Sequence, residues 1–279
     1  MKLYKFRQVD TYSLSGLSNN SIWFSDLKDF NDPFEGSYVL DNQLSDSKWE
    51  EVLKVFTLKP VEEVGAKSQQ EMFDSLGITD GGKDKKDLLS KMMERDFNEA
   101  LIGTIHSSKV VCMSQSSKHH DPLFENLMWS HYTDGLRGFC LVFDKERLLR
   151  SFWENDYKLR PSEVEYQDAP LTISVTDFTN SRYFLNQSDN DDLIEKVTRT
   201  ISMKSKSWSY EQELRLLSLE KHGGHCYEPS VLEQIVIGDK MPKDQQKLVV
   251  GTARSANPDI KVKLARLKKN TYQLEIVDY

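Results

Sequence analysis

Residues 208–215 read Trp208-Ser209-Tyr210-Glu211-Gln212-Glu213-Leu214-Arg215, and an apolar run, Leu214, Leu216, Leu217 and Leu219, follows at once. In an extended strand, residues two apart share a face. Glu211, Glu213 and Arg215 then line one side, with Leu214 and Leu216 opposite. Two carboxylates and a guanidinium at the mouth of a half-buried strand can bind a sugar hydroxyl, steady a cationic transition state or hold a phosphate. The plain alternative is an edge strand whose charged face is solvated and pairs with itself.

Two other stretches carry comparable chemistry. Met128 to Asp144 reads Met-Trp-Ser-His-Tyr-Thr-Asp-Gly-Leu-Arg-Gly-Phe-Cys-Leu-Val-Phe-Asp. Trp129, Ser130, His131 and Tyr132 fall on a helix end that turns at Gly135 into a strand. The aromatics can stack on a flat ring, and His131 can donate to a ribose or phosphate oxygen. Alternatively Trp129 and Tyr132 are core residues and His131 makes one structural hydrogen bond. The third stretch joins Tyr4 and Arg7 to Ser25–Glu35. An arginine at a strand end can clamp a phosphate, or lie on the surface. Asn31, Asp32 and Glu35 can hold a cation, but an Asx turn explains Asn31-Asp32-Pro33 equally well.

Metal and thiol chemistry find less support. His119-His120-Asp121 has adjacent ligands whose side chains diverge, and His222-Gly223-Gly224-His225-Cys226 lacks a second ligand pair. No four-ligand spacing occurs, so no zinc and no other resident metal is expected. Cys112 and Cys140 lie inside apolar strands, where thiols are inert. Three widely spaced cysteines form no disulfide framework, which predicts reduced thiols and a cytoplasmic setting. A net charge of −7 disfavours nonspecific nucleic-acid binding. No apolar run reaches membrane-spanning length, so a membrane is not expected as a partner.

The elements that must position these groups are short. Leu3, Tyr4 and Phe6 begin a strand, and Val9 to Leu17 suggest a helix ending near Asn19-Asn20. Ile22-Trp23-Phe24 is a compact strand. Residues 47–106 read as helical, with a capping-box spacing at Ser47 and Glu50 and a break at Gly81-Gly82. Val110–Met113 and Gly138–Phe143 are strands, and Asp121-Pro122 opens a helix through Tyr132. Val164–Tyr166 is a further short strand, and Leu193–Ile201 a helix. Ile235–Gly238 is a buried strand, Lys243–Arg254 a helix, and two alternating strands end the chain. No phosphate-binding glycine loop is present. The pattern is α+β. It predicts a single compact domain over 1–279, with a central mixed or split sheet of short strands and a helical insertion at about 45–106.

The segments LYKFR, IWFSDLKDFNDPFEG, LMWSHYTDGLRGFCLVFD and KSKSWSYEQELRL, in this order, resemble the bacterial family known as domain of unknown function 2971. A remoter resemblance is to ADP-ribosyltransferase-like enzymes. These carry a histidine or arginine on an early strand, a tyrosine or serine in the middle, and Glu/Gln-x-Glu at the start of a late strand. Tyr4 and Arg7 match the first motif, Ser130, His131 and Tyr132 the second, and Glu211-Gln212-Glu213 the third. The resemblance implies that fold, with NAD as a substrate consumed in transfer to a macromolecular acceptor, protein or nucleic acid. It implies a setting in bacterial conflict or phage defence, with a partner protein from the same operon. In that scheme Glu213 stabilises the oxocarbenium-like ribose and Glu211 orients the acceptor. Arg7 binds the pyrophosphate, and Tyr132 or Trp129 stacks on nicotinamide. Two rival expectations stand beside it. One is a metal-dependent nuclease or phosphoesterase using Glu211, Glu213 and Asp32. The other is a non-catalytic nucleotide-sensing or interaction module.

Overall fold

The computed structural model describes residues 1–41, 99, 101–103, 105, 108–174, 191–218, 220 and 222–279. In chain order the first strands are β1 (Lys2–Arg7), β2 (Ser21–Trp23), β3 (Ser25–Asp26), β4 (Tyr38–Asp41) and β5 (Lys109–Gln115). Next come β6 (Phe139–Asp144), β7 (Leu159–Glu163), β8 (Glu165–Gln167), β9 (Leu171–Ser174) and β10 (Met203–Ser205). The last are β11 (Glu213–Ser218), β12 (Gly224–Cys226), β13 (Leu232–Gly238), β14 (Lys261–Leu267) and β15 (Leu274–Asp278). The α-helices whose bounds are described are α1 (Thr11–Ser18), α2 (Asn126–Tyr132), α3 (Lys145–Glu154), α4 (Asp191–Ile201) and α5 (Lys243–Ala256). Residues 42–98, which carry most of the expected helical insertion, lie outside the described residues.

Contacts divide the chain into two compact units. One comprises Met1–Glu35, Ser107–Asp168 and Ser202–Tyr279 and carries every group discussed below. Its centre is a mixed sheet of nine strands in the order β15-β14-β13-β6-β1-β5-β11-β7, with β3 also paired to β5. All pairings in this sheet are antiparallel except β13 with β14. The second unit comprises Gly36–His106 and Ala169–Ile201. It pairs β4 in parallel with β9 and buries Val197 and Ile201 of α4.

The sheet of the first unit is apolar on both faces. Leu3, Phe139, Leu141, Phe143, Ile235 and Ile237 alternate onto one face, where they meet Leu17 of α1, Leu148 and Phe152 of α3, and Val249 and Ala253 of α5. Tyr4, Phe6, Cys140, Val142 and Val236 alternate onto the other, against Met128 and Trp129 of α2 and Leu123. Fully burying a large apolar side chain contributes roughly 1.5–3 kcal/mol, so strands such as Phe139–Phe143, buried along their whole length, anchor the sheet centre.

The helix expected from Asp121-Pro122 to Tyr132 is two elements. A 3₁₀ turn, Pro122–Phe124, is capped by Asp121 accepting from the Leu123 amide at 3.0 Å, and α2 begins anew at Asn126. The strand expected around Val164 is likewise two strands, β7 and β8, on either side of it. Asp144 closes β6 and caps α3 by accepting from the Arg147 amide.

Candidate functional site

The sequence around Lys206–Glu211 is too rich in serine and aromatics for a long helix and winds instead as a 3₁₀ turn. Gln212 then takes a left-handed conformation, φ 47° and ψ 55°, and the chain enters β11. That single residue reverses the backbone between Glu211 and Glu213. Its amide side chain donates to Ser209 O at 2.6 Å, and its carbonyl accepts from the Gln115 amide at 2.9 Å. Glu211 is therefore not in the strand. Glu213 and Arg215 are, on the face opposite Leu214 and Leu216, as the pairing of Glu213 with Ser114 and Arg215 with Cys112 requires.

The charged face is not solvated. β11 lies between β5 and β7, and Glu211, Glu213 and Arg215 are 1%, 5% and 1% exposed. Lys204, on the neighbouring short strand β10, places Nζ 2.7 Å from Glu211 Oε2 and 2.7 Å from Glu213 Oε1. Arg215 Nε donates to Glu213 Oε2 at 2.7 Å. Its two terminal nitrogens donate to both oxygens of Glu35, at 2.6 and 2.8 Å. The Tyr132 hydroxyl donates to Glu211 Oε1, and the Tyr166 hydroxyl accepts from the Glu213 amide at 2.8 Å. Phe30 lies 5.7 Å from the guanidinium and Trp208 4.8 Å from the Lys204 ammonium.

Burial raises the pKa of Glu211, and the hydrogen bond and charge of Glu213 reinforce the rise against the pull of Lys204; the result is about 8. Burial also opposes ionisation of Glu213, but Arg215, the hydrogen bond from Glu211 and Lys204 together hold it well below the usual carboxylate range. Burial would lower Lys204, yet Glu213 and Glu211 outweigh it and keep the ammonium charged. At neutral pH the proton of the pair therefore sits on Glu211. Two cations, Lys204 and Arg215, then face two carboxylates, Glu35 and Glu213, which is the balance a buried cluster requires.

One edge of the cluster is open. A cleft of about 50 Å³, room for a few water molecules, is lined by Tyr4, Lys5, Phe6, Cys112, Ser114, Met128, Tyr132, Glu211 and Glu213. Lys5 Nζ donates to Cys112 O at 2.6 Å, and burial followed by the charge of Arg7 lowers its pKa to about 8. Burial raises the Cys112 thiol, which stays protonated.

The sequence-predicted residues divide between places. Glu211, Glu213, Tyr132 and Tyr4 meet at this cleft. Arg215 lies in the ion cluster behind it. Arg7 does not join them. Tyr4, Ser114 and Glu213 are cross-strand neighbours, and Arg7, at an odd position of β1, points through the other face of the sheet. There, with Lys5, Asp10, Tyr12, Ser13 and Trp23, it lines a second cavity of about 520 Å³. Trp129 is no ring platform. It is buried, its indole nitrogen donates to Leu123 O at 2.8 Å, and its ring meets Phe6 edge-on. Ser130 is exposed on α2. His131 is exposed too and shares a 2.8 Å hydrogen bond with Tyr210. Asp32 accepts from the Phe34 amide at 3.0 Å in an Asx turn, and the space between Glu211 and Glu213 that a cation would take is filled by Lys204.

Fold and site together define a mixed α and β protein with a buried, charge-balanced ion cluster opening at one edge. Residues 128–216 match the family described as a protein of unknown function, DUF2971. That span runs from α2 into β11 and includes Tyr132, Lys204, Glu211, Glu213 and Arg215. No curated protein and no solved structure matches the chain. No described helix is long and apolar enough to cross a membrane.

Proposed function

We propose that the protein is an acid–base enzyme acting at a glycosidic carbon, an ADP-ribosyltransferase-like enzyme with NAD⁺ as donor. The observation that carries this reading is a pair of buried carboxyls bridged by one ammonium, Lys204, at 2.7 Å from each and lining one cleft. Glu213 stays ionised, and Glu211 titrates about 8, where a proton-transfer group works best near neutral pH. Tyr4, Tyr132 and Glu213, drawn from the three motifs in order, lining one cleft is the second support.

Glu213 stabilises the ribose cation as the bond from C1′ to nicotinamide breaks. The electron pair leaves with nicotinamide, which departs neutral and needs no proton. The acceptor then bonds to C1′ and its proton passes to ionised Glu211. A cleft of about 50 Å³ is far smaller than a dinucleotide, so turnover requires it to widen around the ribose. ADP-ribose transfer from labelled NAD⁺ should rise with pH through about 8 as Glu211 ionises. Glu211→Gln should flatten that rise while nicotinamide release persists. A wild-type profile flat through that range would contradict the role of Glu211.

A second reading, a non-catalytic nucleotide-sensing module, is favoured by one feature. The cavity of about 520 Å³ on the other sheet face falls within the roughly 300–1,000 Å³ of small-molecule sites. It combines Lys5 and Arg7 with the exposed rings of Tyr12 and Trp23. NAD⁺ raising the melting temperature without nicotinamide release, and Arg7→Ala abolishing the rise, would establish this reading instead.

A further inference from the structure

Glu220, His222 and His225 bring one ligand atom each to within 4.8 Å of one another, away from the ion cluster. His222 Nε2 lies 2.9 Å and His225 Nε2 3.8 Å from the same oxygen, Glu220 Oε2. The opposite atom of each group is tied to backbone. His222 Nδ1 faces Gly224 O at 3.2 Å and His225 Nδ1 faces Gly223 O at 3.1 Å. Glu220 Oε1 accepts from the Lys158 amide at 3.2 Å. Ser218 Oγ also lies 3.3 Å from His225 Nε2, a hydrogen bond that a metal ion bound there would displace. A ring whose Nδ1–H donates to a carbonyl is the tautomer whose Nε2 lone pair can bind a metal, and such outer partners are what orient metal-binding histidines.

Gly223 and His225 are closely packed. Gly223 O also accepts from the Phe24 amide at 2.7 Å, and β12, which carries His225, pairs with β2. A Cβ at Gly223 would sit 2.6 Å from Phe24 O and 2.8 Å from the Trp23 ring, so glycine is required there. His225 is fully buried, with its ring centroid 4.0 Å from that of Phe24 and 4.5 Å from that of Tyr157.

We propose that Glu220, His222 and His225 form a zinc-binding site with an open coordination position. Tetrahedral zinc, with bonds of about 2.0–2.2 Å, holds its ligand atoms roughly 3.3 Å apart. The two distances to Glu220 Oε2 bracket that value, while the ligand atoms as a set lie within 4.8 Å of one another, so the exposed His222 ring must turn toward buried His225 to close the site. Two imidazoles and one carboxylate leave the fourth position for water or an exogenous donor, as in sites that act on a bound molecule. The expectation of no metal rested on the absence of a second ligand pair and of a four-ligand spacing, and Glu220, two residues before His222, was not among the ligands weighed. The site is independent of the transferase reading.

The test uses the full chain, stripped with chelator and titrated with Zn²⁺ against a chromophoric competitor. One zinc per chain is expected. His222→Ala, an exposed change, should keep the circular dichroism spectrum and weaken binding by at least the roughly 10- to 100-fold that loss of an outer partner costs. Replacing zinc with Co²⁺ should give visible bands of low-symmetry nitrogen and oxygen coordination without a sulfur charge-transfer band. Cys226→Ser should bind as the wild type does. Absence of stoichiometric zinc, equal affinity in His222→Ala, or a thiolate band that Cys226→Ser removes would each overturn the proposal.

Discussion

Lys204 is the residue on which the ion cluster turns. It touches Glu211 and Glu213 at 2.7 Å and approaches Glu35 at 3.5 Å, all out of water. Lys204→Met keeps much of the side-chain length and removes the cation. Breaking a buried pair from one side leaves uncompensated charge and costs about 3–5 kcal/mol. Chemical denaturation should show a loss on that scale, and an unchanged midpoint would mean that the cluster opens to solvent. Glu211 gives a second, signed expectation. Its folded pKa of about 8 stands above the ordinary 4.5, so the folded state binds the extra proton between those values. Its contribution is complete below pH 4.5 and is lost as pH rises through about 8. The stability of Glu211→Gln relative to wild type should therefore climb from pH 5 to pH 9. A difference independent of pH would contradict the assignment. At this scale the alternation of Glu213 and Arg215 against Leu214 and Leu216 was legible, because a strand's period of two is written in the residues. Lys204 and Tyr166 were not, and Glu35 was legible only as a cation ligand with Asn31 and Asp32, since its partner Arg215 comes from a chain position that only the folded arrangement brings near. Nor was burial of the charges, since a charged strand face reads as solvated until its partners are known.

At the scale of elements, the site depends on one backbone conformation. Gln212 is a non-glycine residue at φ 47°, and a residue held there costs of order 1–3 kcal/mol when strained. Gln212→Ile, β-branched, should destabilise by about that amount. Gln212→Gly should be close to neutral, because relief of the backbone offsets the lost hydrogen bond to Ser209. Equal loss in both variants, read from thermal melts, would show that the side-chain contact and not the backbone sets the turn. Gly138, which starts the chain into β6 after α2, is constrained differently. A Cβ there would lie 2.1 Å from Arg7 O, so the close approach of β1 admits no side chain. Periodicity located α5 and the two final strands well, since each is bounded by polar or turn-forming residues. It merged the 3₁₀ turn Pro122–Phe124 with α2, because the local cap at Glu125, accepting from the Leu127 amide at 3.2 Å, interrupts a stretch whose apolar spacing continues. It also placed Glu211 in a strand, because no pattern in the residues announces a left-handed glutamine.

For the whole molecule, the central sheet carries the carboxylate cleft on one face and a larger cavity on the other. β1 sends Tyr4 toward the carboxylate cleft and Arg7 toward the larger cavity, with Lys5 bordering both. The early motif of the sequence is thus divided by strand alternation, a division implicit in the spacing of Tyr4 and Arg7. In the proposed transferase, the charge of Glu213 drives bond cleavage at the smaller cleft. Nicotinamide release from NAD⁺, followed beside circular dichroism, tests it most directly. Release by the wild-type protein is expected, with a fall of about 10²- to 10³-fold in Glu213→Gln, the scale of one preorganised electrostatic group, and with the fold retained. Equal rates in the two proteins, or no release by the wild type with acceptors present, would contradict it.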